Sequence, residues 1–482
     1  MWHWRRKLTL LACLTAGLSG CASFDPTTTP TTVASDVARP AAPDNPQVAP
    51  VAVAPIERAR ELVALPLARN KAPDQVRQGQ TRSLNLAASV PPPPPSPARG
   101  RPAPVADKTE DFDVVPVFWG TDRKVPYGSA RPALISQLKQ PAPAPGTTGS
   151  IVTGSIDKGG LPGAERGDRL IVGRSMVTVP RVAREKGAIL RPRQYALLNI
   201  TFYSEDEDPR RHFTVGSFEP LDPLTFARLG NEHLAKASRN PGQAFIFVHG
   251  YNTSFPDALY RTAQLAYDLE FDGVPYLYSW PSKAEIGGYE YDGDSADRAR
   301  RYFLDFLKLV ARDTRATRIH LIAHSLGTRP LLEALKSAGP PAAIAKRLRI
   351  DQLILAAPDI DRDLFVEIAR SIKGVSRGTT LYAANNDKAL LASRKLHGDI
   401  PRAGDVPPPG PIVVAGIDTI DISAAGTDSF LSLNHNTYVE GGHVLADVRA
   451  LLREGVRPPD KRFPAYRAMP SASGTWWRYV KN

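Results

Sequence analysis

The sequence predicts an α/β protein built on a mainly parallel, doubly wound sheet, with a strand-rich part ahead of it. Three observations carry this. From Gln243 onward, apolar runs of strand length alternate with stretches of helical periodicity, the texture of successive βα units. Between positions 111 and 242, β-like runs follow one another instead. Finally, the apolar run Ile319 to Ala323 leads through His324-Ser325-Leu326-Gly327 into a helical pattern. That is a strand, a sharp turn and a helix, in which small residues let the turn close and lift the serine hydroxyl out of the fold. Ala323 stands where a glycine would complete the G-x-S-x-G pattern.

The elements follow in order. Val114 to Trp119 is a β-like run ended by Gly120-Thr121-Asp122-Arg123, and after a Pro/Gly/Ser-rich interval (141–167) come Arg169 to Val172, Met176 to Val179 and Tyr195 to Phe202. Ala244 to Val248 is a buried-type strand. The helix Pro256 to Leu269 puts Leu259, Ala263 and Ala266 on one face, Pro275 to Trp280 is the next strand, and the helix Ser295 to Thr314 carries an apolar stripe from Ala299 to Val310. Between them, Pro281 to Asp294, with Tyr289, Glu290, Tyr291 and Asp292, reads as a loop bordering the pocket. After the elbow strand and its helix to Ser337, strands at Gln352 to Ala357, Thr379 to Ala384 and Gly416 to Ile422 complete the sheet, and Val444, Val448, Leu451 and Leu452 mark a closing helix. The tail, 457–482, contains Trp476 and Trp477 without helical periodicity and is expected to pack back on the core.

With 482 residues, 42% of them hydrophobic, the chain can bury a large core. The net charge of +12 is spread along the sequence beside Asp and Glu, with no dense basic block interleaved with aromatics, so a basic surface rather than a nucleic-acid partner is expected. Arg5, Arg6 and Lys7 precede the apolar run Leu8 to Leu18, which is too short to span a bilayer comfortably and reads as a signal peptide, 1–20. From position 21 to 110, prolines crowd among Ala, Thr, Val and Ser, including the run Pro91 to Pro95. Such a stretch cannot bury a core and reads as a disordered tether. The catalytic unit then divides into a strand-rich part, 111–242, and the α/β core, 243–456.

A serine hydroxyl needs an imidazole to take its proton, an acid to orient that imidazole, and N–H donors for the oxyanion. The chain offers these in the order Ser, acid, His. Ser325 is the candidate nucleophile, Asp387 follows the Thr379 strand as candidate acid, and His435 follows the Gly416 strand as candidate base. Asp359, with Asp361, follows the preceding strand and is the alternative acid; His443, at the start of the closing helix, is the alternative base. Gly250, in His249-Gly250-Tyr251-Asn252, lets a loop approach the substrate, so the N–H groups of Tyr251 and Leu326 are the candidate oxyanion donors. His249 and His324 are read as packing around the two turns. No metal site is expected: His320 and His324 are four residues apart on a strand and its turn, which holds their rings apart. No GxGxxG or P-loop sequence implies a nucleotide, so no cofactor is expected.

Two resemblances add to this. Leu18-Ser19-Gly20-Cys21 resembles the lipobox of bacterial lipoproteins, which implies lipidation at Cys21, and Ala22 after it resembles the outer-membrane sorting class, facing the periplasm. The runs Phe247 to Asn252, Tyr278 to Ser282, the elbow and Tyr382 to Leu390, with Val117 to Arg123 before them, are similar to a bacterial α/β-hydrolase family catalogued as a domain of unknown function. The likeness spans about 112–455. It implies an α/β-hydrolase fold with a serine triad; with the residues above, the chain is read as a serine esterase or lipase-like hydrolase, with acyl transfer on the same triad, or a non-catalytic envelope scaffold, as the other readings.

The anchor is testable directly. Protein made in a bacterial host should incorporate labelled palmitate and partition with membranes, and Cys21→Ala should lose both; undiminished labelling of the variant would contradict the lipobox reading.

Overall fold

The computed structural model describes residues 111–126, 160–182, 184, 186–197, 200–425 and 441–481. Cys21 and the tether lie outside them. In chain order, β1 (Phe112–Arg123) and β2 (Arg166–Pro180) make a long antiparallel pair, β3 (Gln194–Leu197) and β4 (Ile200–Ser204) form a separate two-stranded sheet, and β5 (Thr214–Val215) and β6 (Glu219–Leu221) line the outer side of β2. Then come α1 (Pro223–Leu234), β7 (Gln243–Val248), α2 (Phe255–Asp268), β8 (Val274–Ser279) and α3 (Tyr289–Asp313). The elbow strand is β9 (Arg318–His324). It is followed by a 3-10 turn (Ser325–Gly327), α4 (Thr328–Ser337) and α5 (Pro341–Leu348). The chain closes with β10 (Ile350–Ala356), α6 (Arg362–Ser371), β11 (Gly378–Ala383), α7 (Lys388–Leu396), β12 (Ile417–Asp421), α8 (Gly441–Glu454), α9 (Pro459–Arg462), β13 (Tyr466–Ser471) and β14 (Gly474–Tyr479).

The main sheet runs in the order β13, β14, β12, β11, β10, β9, β7, β8, β1, β2, β5. All neighbours from β14 to β1 are parallel. Successive side chains of a strand point to opposite faces. Phe245, Phe247, Leu277, Ile322 and Ile354 therefore join α2 and α8 in one core layer, while Ile246, Val248, Tyr278, Leu321 and Leu353 join α1, α3, α4 and α6 in the other. Strands buried on both faces read as continuous apolar runs, which is why the alternating texture was legible.

Three elements differ from the sequence expectation, and the tail packs on the core as expected, in a form the sequence did not specify. β2 is one strand through Gly173-Arg174-Ser175, because Gly173 leaves room for the Trp119 ring: a Cβ there would stand 2.2 Å from Trp119 Cζ2. The run Tyr195 to Phe202 is divided between β3 and β4. α3 begins at Tyr289, so the end of the supposed pocket loop, Tyr289 to Asp294, is the start of a helix, and Asp292 in its first turn is fully buried. The tail is a hairpin that extends the sheet beside β12, with Trp476 and Trp477 buried. It is tied down by Asp447 of α8, which accepts from Tyr382 Oη at 2.6 Å, Tyr466 Oη at 3.0 Å and Arg462 Nε at 2.5 Å.

The chain runs from β7 out to β8 on one side and returns through α3 to β9 on the other. The turns after β7 and β9 thus flank the point where strand order reverses, the place where open α/β sheets bind ligands. Because β1 and β2 belong to this same sheet, a fragment beginning near residue 108 should fold cooperatively. One beginning near 240 exposes the edge of β8 and its apolar faces and should aggregate. A soluble, cooperatively melting 240-fragment would contradict the single-sheet account.

Candidate active site

Ser325 follows β9 with φ +49°, a conformation that non-glycine residues adopt at a cost of about 1–3 kcal/mol. The turn is held there by its surroundings. The Ser325 carbonyl accepts from Thr328 Oγ1 at 2.7 Å and from Asp359 N at 3.2 Å. Gly327 lies against the end of β7, where a Cβ would stand 2.1 Å from the His249 carbonyl oxygen, and a Cβ on Gly250 would stand 3.0 Å from Ser325 Cβ and 2.7 Å from His324 Nδ1. Both glycines are therefore required by close approach, and together they bring the two turns into contact. Ala323, fully buried in β9, fits the first position of the pattern without needing to be glycine.

Tyr251 and Leu326, whose N–H groups the sequence offers as candidate oxyanion donors, lie on these two turns. Leu326 N–H belongs to the first turn of the short helix, where no intrahelical acceptor exists. Tyr251 N–H has no acceptor among the described residues. The Tyr251 phenol donates to the carbonyls of Glu285 and Ile286, its ring lies 5.3 Å from that of Tyr289, and burial pushes its pKa up to about 12.

His249 is structural in its contacts. His249 stacks on Trp280 at 4.9 Å, its Nδ1 meets the Gly250 carbonyl at 2.9 Å, and its Nε2 meets Ser279 Oγ and the Trp280 carbonyl, each at 3.1 Å. Burial lowers the pKa of both His249 and His324 to about 3, so each is neutral near pH 7. His443 is exposed in the first turn of α8, facing the rings of Phe463 and Tyr479. His435 lies outside the described residues.

The candidate acids sit on adjacent loops of the same carboxyl edge. Asp359 is buried and fully engaged: Oδ1 accepts from Arg402 Nε at 2.8 Å and Ser393 Oγ at 2.7 Å, and Oδ2 from Tyr289 Oη at 2.8 Å. Asp361 caps α6, with Oδ1 accepting from the N–H groups of Asp363 and Leu364. Asp387 caps α7 through Oδ1, which accepts from Ala389 N at 2.9 Å and Leu390 N at 3.1 Å, while Oδ2 has no partner among the described residues. Burial raises its pKa, and the charge of Asp359 adds to the shift.

Several residues that position the site were given no individual role by the sequence. Arg123 and Asp292 anchor the loops after β7 and β8, and Arg402 and Ser393 hold Asp359. Each is a lone charged or hydroxyl residue whose partners are distant in the chain.

A parallel sheet with a strand, elbow and helix at its switch point defines the α/β-hydrolase fold. Residues 228–454 match the family described as "Alpha/beta hydrolase of unknown function (DUF900)". The match begins within α1 and ends with α8, so β1, β2 and the terminal hairpin lie outside it. No curated protein matches the chain.

The two acids should separate experimentally. Asp359→Asn leaves the Arg402 guanidinium buried without its ion pair and should lower unfolding stability by about 3–5 kcal/mol in urea titration. Asp387→Asn should melt near the wild type. The reverse pattern of stabilities would contradict the assignment of Asp359 as a structural anchor.

Proposed function

We propose that the protein is a serine hydrolase that cleaves a carboxylic ester through an acyl-enzyme intermediate, on a domain tethered to the bacterial envelope, at the outer membrane, by lipid on Cys21. The observation that carries the reading is Ser325 itself. A left-handed serine at the switch point lies on a turn beside two N–H groups, those of Tyr251 and Leu326, that have no acceptor among the described residues, an arrangement suited to aim a hydroxyl at a carbonyl carbon while the oxygen charge is met by the backbone.

In this reading Ser325 Oγ attacks the ester carbonyl as His435 takes the hydroxyl proton. The tetrahedral oxyanion is held by the N–H groups of Tyr251 and Leu326. Its collapse expels the alcohol, which takes the proton from His435, and water repeats the sequence to release the acid and restore Ser325. Asp387 orients the imidazole through Oδ2 while its Oδ1 remains fixed to α7. The open Oδ2 favours Asp387 over Asp359, both of whose oxygens are already bonded. No metal ion or cofactor takes part in this scheme.

Ser325→Ala, Asp387→Asn and His435→Ala should each lower hydrolysis of a short-chain p-nitrophenyl ester by about 10³-fold or more, without loss of cooperative melting. His443→Ala should retain wild-type turnover. If Asp387→Asn stays fully active, the acid is elsewhere; if Ser325→Ala does, the nucleophile is.

A further inference from the structure

Arg123, the last residue of β1, is 1% exposed and has no ion-pair partner within 4 Å among the described residues. All its side-chain bonds go to uncharged oxygens on three other stretches of chain. Nε donates to Ser279 Oγ at 3.0 Å, Nη1 to the carbonyls of Gly163 at 2.8 Å and Ser282 at 3.1 Å, and Nη2 to the Thr253 carbonyl at 2.9 Å. Burial lowers its pKa to about 10, so it remains a cation at neutral pH.

These partners bracket the candidate oxyanion loop. On one side, Ser279 Oγ also meets His249 Nε2 at 3.1 Å. On the other, Thr253 N donates to Ser282 Oγ at 2.9 Å, Ser282 Oγ donates to Asp292 Oδ2 at 2.6 Å, and the same carboxylate oxygen accepts from Asn252 N at 3.1 Å. Residues 249, 252 and 253 are thereby fixed on both flanks of Gly250-Tyr251. The loop turns through Asn252 at φ +54°, and Tyr251 N–H is held in its middle without an acceptor among the described residues. A buried cation is costly to desolvate, and hydrophobic residues can fill such a space as well or better. What a planar fork offers here is geometry: donors in fixed directions to carbonyls from separate loops.

We propose that Arg123 is a positioning residue for the oxyanion loop, so that β1, outside the family match, is a working part of the catalytic unit. This rests on the serine-hydrolase reading for its kinetic consequence but not for its structural one. A shift of about 1 Å in a donor, or its loss, costs on the order of 10²-fold in rate.

The test uses the full chain with Arg123→Lys, which keeps the charge and loses the fork, and Ser279→Ala, which removes the hydroxyl that links Arg123 Nε to His249 Nε2 without removing a charge. Both should lower kcat on p-nitrophenyl acetate, by about 10²-fold for Arg123→Lys, with KM little changed. In both, backbone amides of 249–254 should exchange deuterium faster, while those of 328–335 keep the wild-type rate. Ser279→Ala, which removes one of the bonds of Arg123 and leaves the cation in place, decides the matter if Arg123→Lys fails to melt cooperatively. Unchanged exchange at 249–254 would overturn the proposal, as would faster exchange with wild-type kcat, which would make the network merely structural. A wild type with no ester turnover would overturn the hydrolase reading instead, and the exchange data would still decide whether Arg123 fixes the loop.

Discussion

The backbone contact between Gly327 and the end of β7 is the constraint on which the rest of the site depends. With the Val248 and His249 carbonyls 2.9 and 2.1 Å from where a Cβ would be, the chain after the Ser325 turn presses on the chain entering the Gly250-Tyr251 loop. Any side chain at 327 would force the two turns apart. Held together, they leave Ser325 in a left-handed conformation, place Leu326 N–H at a helix start and bring Gly250 alongside the serine. The strain at Ser325 is small against the packing that imposes it: Leu326, Leu331 and Leu335 are fully buried on the face shared with α3. The short helix cannot rotate to relieve the turn without opening that layer.

Around this contact the carboxyl edge is organised by buried charges. Arg123 and Asp292 fix the loops after β7 and β8, and the Asp359–Arg402 pair fixes the loops after β10 and α7. Burying ions is justified only where their hydrogen bonds are satisfied. Here the bonds run largely to backbone groups and hydroxyls, so the ions act as cross-braces between loops that share no secondary structure. Asp359 also donates its own N–H to the Ser325 carbonyl, which couples the brace to the Ser325 turn.

Much of the architecture was legible because parallel strands buried on both faces have no polar alternation to hide them. Ala244 to Val248 and Ile319 to Ala323 could hardly be anything else. The elbow was legible because a turn this tight admits few residue types. The boundaries missed have local causes. Gly287-Gly288 and the polar residues up to Asp294 weaken helix propensity, so the first turn of α3 forms only because Asp292 is drawn inward to Asn252, Ser282 and Lys283. Gly173 looked like a strand break and is instead the socket for Trp119. The hairpin of β13 and β14 depends on Asp447, whose partners are spread from 382 to 466, and no pattern within the hairpin announces it. Arg123 is the clearest case: a single arginine ending a strand, its importance set by three chain segments as far as 159 residues away.

The central proposal is that Ser325 is an activated nucleophile. Treating the full chain with a fluorophosphonate probe and mapping the adduct by peptide mass spectrometry tests it most directly, since the reagent reports nucleophile and oxyanion hole together whatever the natural ester. The account predicts a single stoichiometric adduct on Ser325, formed without any added partner or metal. An unmodified Ser325, or an adduct on another residue, would contradict it.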